Sequence, residues 1–167
     1  MLGRRGQTPA DTQREQRTHM ATNTTVTRRS TEAQKPGGDA GRLVLRLAVG
    51  ILILLHGIAK LSGPLDGIAG MLAKVGLPTV LAYGVYVGEI LAPILLIVGV
   101  WTRAAAVVVA INMVFAVLLA HSSELFSLGS QGGYALELQA MFLFASIAIA
   151  LLGAGRFSIG GRYGPLN

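Results

Sequence analysis

The sequence predicts an all-α membrane protein: a four-helix antiparallel transmembrane bundle with a short interfacial helix between helices one and two. Three observations predict it. Four stretches, Leu43–Leu61, Thr79–Val100, Ala104–His121 and Ala135–Leu152, are almost wholly apolar. Each matches the roughly 17–25 residues that a helix needs to cross a bilayer. Of the 167 residues, 13% are charged and 52% hydrophobic, whereas a soluble domain has about a quarter charged. The link Trp101-Thr102-Arg103 is so short that the helices it joins must be antiparallel neighbours.

Residues 1–41 lack apolar clusters and are rich in Thr, Arg, Gln, Gly and Pro. They cannot bury enough apolar surface to offset ordering entropy and read as a disordered tail. No apolar h-region of a cleaved signal peptide occurs there. Of 14 Lys and Arg, eight precede Leu43: Arg4, Arg5, Arg14, Arg17, Arg28, Arg29, Lys35 and Arg42. Cytoplasmic flanks of membrane helices are enriched in these residues. Both termini and the helix two–three turn share one side, which also holds Arg103, Arg156 and Arg162. The other side holds Lys74, with Lys60 at the end of helix one. The asymmetry places both termini in the cytoplasm, and it explains the net charge of +6 as a topology signal, so no nucleic-acid partner is expected.

After helix one, Gly63-Pro64 and Gly76-Leu77-Pro78 punctuate the chain. Between them Leu65, Ile68, Met71, Leu72 and Val75 recur at helical spacing over about three turns. That is too short to span, and predicts an amphipathic helix lying in the outer interface. The loop Ser122–Tyr134 carries Gly129-Ser130-Gln131-Gly132-Gly133, and the chain beyond Leu152 is glycine-rich. One domain over residues 42–160 follows, with 161–167 as a cytoplasmic tail. Between helices, small residues permit close backbone approach; Gly84 and Gly88 on helix two and Gly50 and Gly57 on helix one are the packing candidates.

The polar residues inside the apolar stretches carry the functional question. Glu89 sits about 15 Å from either end of helix two by helical rise, where a short side chain cannot reach water and must be protonated, paired or beside water. Pro93 removes the N–H that would bond the Glu89 carbonyl, so one position offers a carboxyl group and a freed carbonyl. Tyr86, one turn earlier, could donate to it, and Asn112 on helix three is its expected neutral partner. Arg46 and Lys60, at the two ends of helix one, have snorkelling as their ordinary reading.

At the outer side His56, Lys60, His121 and Glu137 lie at similar depth. Their sharper reading is a Lys60–Glu137 ion pair with a histidine adjacent, in a polar pocket open to the outer surface. Their ordinary reading is a helix N-terminal carboxylate at Glu137 and solvated histidines. The histidines weigh little toward haem or a metal, and no metal site is assigned. The chain contains no Cys, which excludes thiol nucleophiles, thiolate-bound iron–sulfur clusters and disulfide exchange from this polypeptide. A redox role would need a bound cofactor or a partner's redox groups.

Taken in order, these elements resemble the DoxX family of small four-helix membrane proteins. The matching elements are Arg46, the run His56-Gly57-Ile58-Ala59-Lys60-Leu61, Gly88-Glu89, and Gly99 before Thr102-Arg103-Ala104-Ala105. Asn112-Met113, Gly132-Gly133 followed by Glu137, and Gly153-Ala154-Gly155-Arg156-Phe157-Ser158-Ile159 continue the match. The resemblance covers about residues 42–160 and implies a bacterial inner-membrane protein. It implies a membrane subunit of a quinone-linked sulfur-compound oxidoreductase, or a membrane partner of thiol- and superoxide-handling enzymes. It supplies no catalytic residues. Three functions stay open from the residues themselves: a redox-system subunit that binds a quinone or docks a redox enzyme, a small oligomeric ion or solute transporter, and a scaffold without chemistry.

Overall fold

In the computed structural model, the described residues are residue 13 and residues 36–130, 132–161, 164, 166 and 167. The predicted disordered tail lies outside them except for residue 13 and its end, residues 36–41. There the structure departs from the expectation: helix α1 runs Pro36–Leu61 and begins within the predicted tail. Asp39 and Arg42 pair at 3.1 Å across one turn, with Asp39 in the first turn, where a carboxylate complements the helix dipole.

Helix α2 spans Asp66–Lys74. Its Leu72 is buried, Leu65, Ile68 and Met71 are partly buried, and Val75 at its end is exposed. Helix α3, Thr79–Val98, changes character along its length. It starts with a 3₁₀ turn over Thr79–Tyr83, passes through a π turn at Val87–Leu91, and continues as α-helix to Val98. The π turn lies directly before Pro93. A proline lacks an N–H and its ring collides with the carbonyl four residues back, here that of Glu89, and a widened turn relieves the collision. The N–H of Ala92 accordingly bonds the carbonyl of Val87, five residues back.

Gly99 ends α3 at φ 76°, the left-handed conformation that glycine adopts at no Cβ cost. Helix α4, Thr102–Ala120, follows. A loop containing the isolated bridge Leu128–Tyr134 leads to α5, Glu137–Leu152. Three helices, α1, α3 and α4, are long and apolar enough to cross a membrane, while α5 is apolar and shorter at 16 residues. Among the described residues there is no strand beyond that single bridge.

The core is small-residue packing around a few branched side chains. Val49 and Ile53 of α1, Ala92 and Leu96 of α3, Ala105, Ala106, Val109 and Met113 of α4, and Phe142 and Ile149 of α5 form one buried cluster. Leu55, Ile111, Phe144 and Leu151 instead face outward, an inversion of soluble packing expected where lipid is the solvent. Gly50 and Gly57 let α1 approach α3. A Cβ at Gly57 would strike the Glu89 carbonyl, and one at Gly50 would lie 2.7 Å from Ile97 and 3.1 Å from the Pro93 carbonyl. Gly88 receives the Asn112 side chain of α4 in the same manner. Gly84 is a correction: it is exposed, a Cβ there would meet nothing within 4 Å, and the predicted Gly84/Gly88 pair is no packing surface within the chain.

Arg46 is the second correction. Rather than snorkelling, it is 1% exposed. Its guanidinium donates to the carbonyls of Leu96 (2.8 Å), Ala154 (2.6 Å), Phe157 (3.1 Å) and Ile97 (3.4 Å). Two of these carbonyls belong to the last turn of α3, which lack intrahelical donors and carry the negative end of its dipole. The five-donor fork of arginine suits several carbonyls at once. Thus one side chain ties α1, α3 and the segment after α5 together. Asn167 adds a second tie there, its Oδ1 accepting from the Thr102 N–H at 2.9 Å and so capping α4.

A buried ion pair beside a polar-headed cavity

The stagger of the helices sets the site. Because Gly57 rests on the Glu89 carbonyl, the last turn of α1 lies level with the middle of α3. Lys60, one turn beyond Gly57, therefore reaches inward and donates to Glu89 Oε1. Asn112 Nδ2 donates to the same oxygen at 3.2 Å. Glu89 Oε2 is buried and has no hydrogen-bond partner among the described residues. The Glu89 side chain is 4% exposed and that of Lys60 39%.

A cavity of about 170 Å³ borders this cluster. Its walls are apolar on Ile53, Met113, Ala116, Leu138 and Phe142, with His56, Lys60, Glu89, His121 and Gln139 as polar lining. His56 Nδ1 lies 2.8 Å from the Leu52 carbonyl. A carbonyl can only accept, so that nitrogen carries the proton and a neutral ring keeps Nε2 as an acceptor. The His56 ring meets Phe142 edge-on at 6.0 Å between centroids. His121 Nδ1 lies 3.2 Å from Glu124 Oε2.

The structure brings His56, Lys60, Glu89, Asn112 and His121 to one locus and leaves out two expected residues. Glu137 is exposed, accepts the Tyr134 N–H at 2.9 Å and stands in the first turn of α5. The predicted Lys60–Glu137 pair is thus replaced by Lys60–Glu89, because α1 ends level with the middle of α3 rather than with its start. Tyr86 packs against Tyr83 at 6.3 Å, and no hydrogen bond joins it to Glu89 among the described residues. Gln139 is a lining residue that sequence reasoning missed. The available signal was its place as an amide inside the fourth apolar stretch. Among the described residues, no group of three or more His, Asp or Glu is placed to hold a metal ion.

An acid held by a lysine and an asparagine between close-packed apolar helices defines an all-helical, multi-pass membrane protein with a buried ionisable site. The chain belongs to the DoxX family: the DoxX family model matches residues 41–122. It is 33% identical over 124 residues to an uncharacterised Haemophilus influenzae protein, covering 71% of this chain and 87% of that one. It is 28% identical over 116 residues to a Bacillus subtilis protein named "Putative oxidoreductase CatD", covering 70% of this chain and 81% of the relative. No solved structure matches.

Proposed function

We propose that this protein is the membrane-embedded subunit or partner of a redox system, in which Glu89 exchanges a proton beside a ring-sized ligand of the quinone class. The observation that carries the reading is the Glu89 carboxyl group: one oxygen is shared by Lys60 and Asn112, the other is unpartnered, and the residue lines a cavity. An apolar cavity of roughly 150 Å³ admits a benzene ring, so the space beside Glu89 fits a single-ring head group. A quinone bound there would supply two-electron redox chemistry. The chain's part is to hold the ring between Phe142, Met113 and Ile53, and to give or take a proton at Glu89. The name of the Bacillus relative supports an oxidoreductase setting.

The same reading includes four spans. Helix α5 rises only about 24 Å over its 16 residues, and the bilayer thins locally to accommodate it. Helix α2 lies in the outer interface, its apolar face toward the bundle. Residues 42–160 form the membrane domain, in the bacterial inner membrane. Arg42, Arg103 and Arg156 mark the cytoplasmic end with both termini, and a redox enzyme docks on the complex.

The test is quinone content. Full-length protein purified in mild detergent, extracted and analysed, is expected to yield quinone in stoichiometric amount, and the Glu89→Gln variant to yield far less. A folded wild-type protein with no recoverable quinone, and no binding of an added short-chain quinone, would sink the reading.

A further inference from the structure

We propose that the cavity beside Glu89 opens to water on one face of the membrane only, the face opposite Arg42, Arg103 and Arg156, with His121 and Glu124 at its mouth. The inference deepens the function proposed above, since it names the side from which a proton or ligand reaches the site.

Three independent placements carry it. From Glu89 at mid-depth the lining runs toward one end of the bundle: His56 and Lys60 from the end of α1, Ala116 and His121 from the end of α4 and its following residue, and Leu138 and Gln139 from the start of α5. Antiparallel order brings those ends together. The other half is packed shut. Val49, Leu96, Ala105, Ala106, Val109 and Ile149 are between 0% and 4% exposed, and interiors at this density leave few voids larger than a water molecule. Below them Arg46 closes the end by bonding the carbonyls of α3 and of the segment after α5. At the open end the His121–Glu124 pair is partly exposed, its side chains 34% and 46% accessible, and His121 also lines the cavity. A polar pair that reaches solvent, with one member also on the cavity wall, marks the aqueous entrance.

The cysteine-free chain allows a direct test. Single substitutions Gln139→Cys and Ala116→Cys report the cavity from two different helices, Ser122→Cys reports the mouth face, and Arg156→Cys reports the arginine face. Each full-length variant is treated with a charged, membrane-impermeant thiol reagent in sealed right-side-out and inside-out membrane vesicles. Gln139→Cys and Ala116→Cys are expected to react wherever Ser122→Cys reacts, and to lose reaction wherever only Arg156→Cys does. Labelling of the cavity positions from the arginine face, or from both faces, overturns the proposal. So does labelling by a lipid-soluble thiol reagent alone while both controls react normally, because the cavity would then open to lipid. No quinone or turnover enters the readout. A protein that binds no quinone can still show a one-sided cavity, and a two-sided cavity leaves quinone binding standing.

Discussion

Lys60 and Glu89 form an ion pair whose two members are unequally buried, the lysine side chain 39% exposed and the glutamate 4%. The long lysine stem can turn toward the interface when its partner is lost, but the glutamate has nowhere to go. Removing Lys60 therefore leaves a buried acid with Asn112 alone, at a cost of about 3–5 kcal/mol for a broken buried pair. Glu89→Gln retains an amide that Asn112 and Lys60 can still bond. Lys60→Met is expected to destabilise the protein more than Glu89→Gln, and the double variant to recover most of the loss. Denaturation in detergent micelles checks this, and equal costs for the two single variants would refute the asymmetry.

The close approach of α1 to α3 gives a prediction with its own control. Gly57→Ala drives a methyl group into the Glu89 carbonyl, and overpacking of this kind costs about 1–3 kcal/mol. Gly84→Ala meets open space and is expected to stay within about 0.5 kcal/mol of the parent chain. A thermal-stability series on the two variants decides it, and a Gly84 effect as large as that of Gly57 would contradict the packing described.

Arg46 holds four carbonyls from three segments. Lysine carries its three donors on one nitrogen and cannot reproduce the fork, so Arg46→Lys should lose at least one of the four charge-assisted bonds, each worth about 1.5–3 kcal/mol. The segment Gly153–Ile159 then keeps only its backbone tie to α3, the Ile159 N–H on the Val98 carbonyl at 3.3 Å. Trypsin cleavage after Arg156 in detergent-solubilised protein is expected to accelerate. An unchanged cleavage rate would mean that Arg46 does not secure this segment.

Pro93 sets the direction in which Glu89 points. Pro93→Ala restores an N–H to the Glu89 carbonyl and lets the π turn tighten into α-helix. Losing the extra residue of the turn rotates the preceding part of α3 by about 100°, carrying Glu89 away from Lys60. In the Lys60→Cys/Glu89→Cys pair, adding Pro93→Ala is expected to slow cross-linking by a short bifunctional thiol reagent sharply, a reagent being needed because the contact is made by the ends of two long side chains. Equal rates with and without the proline would show that the π turn does not aim the carboxylate.

Residue pattern and composition alone determined that the helices belong in lipid, because long apolar runs and a skewed distribution of arginines need no tertiary information to read. They also singled out Glu89, since an acid inside such a run must be compensated wherever the chain folds. Which compensation occurs was decided by tertiary structure. Helix ends counted along the sequence put Lys60 level with Glu137, but the stagger of α1 against α3 depends on where glycines allow backbones to touch, and Gly57 on the Glu89 carbonyl brings Lys60 to Glu89 instead. Arg46 illustrates the same division. Its charge and position near a helix end suited snorkelling, and only the tertiary fold brought carbonyls of the last turn of α3 and of the chain after α5 together to bury it. Local sequence fixes what each helix is, whereas the vertical register between helices is a property of their contacts, and partners for buried polar groups follow from that register.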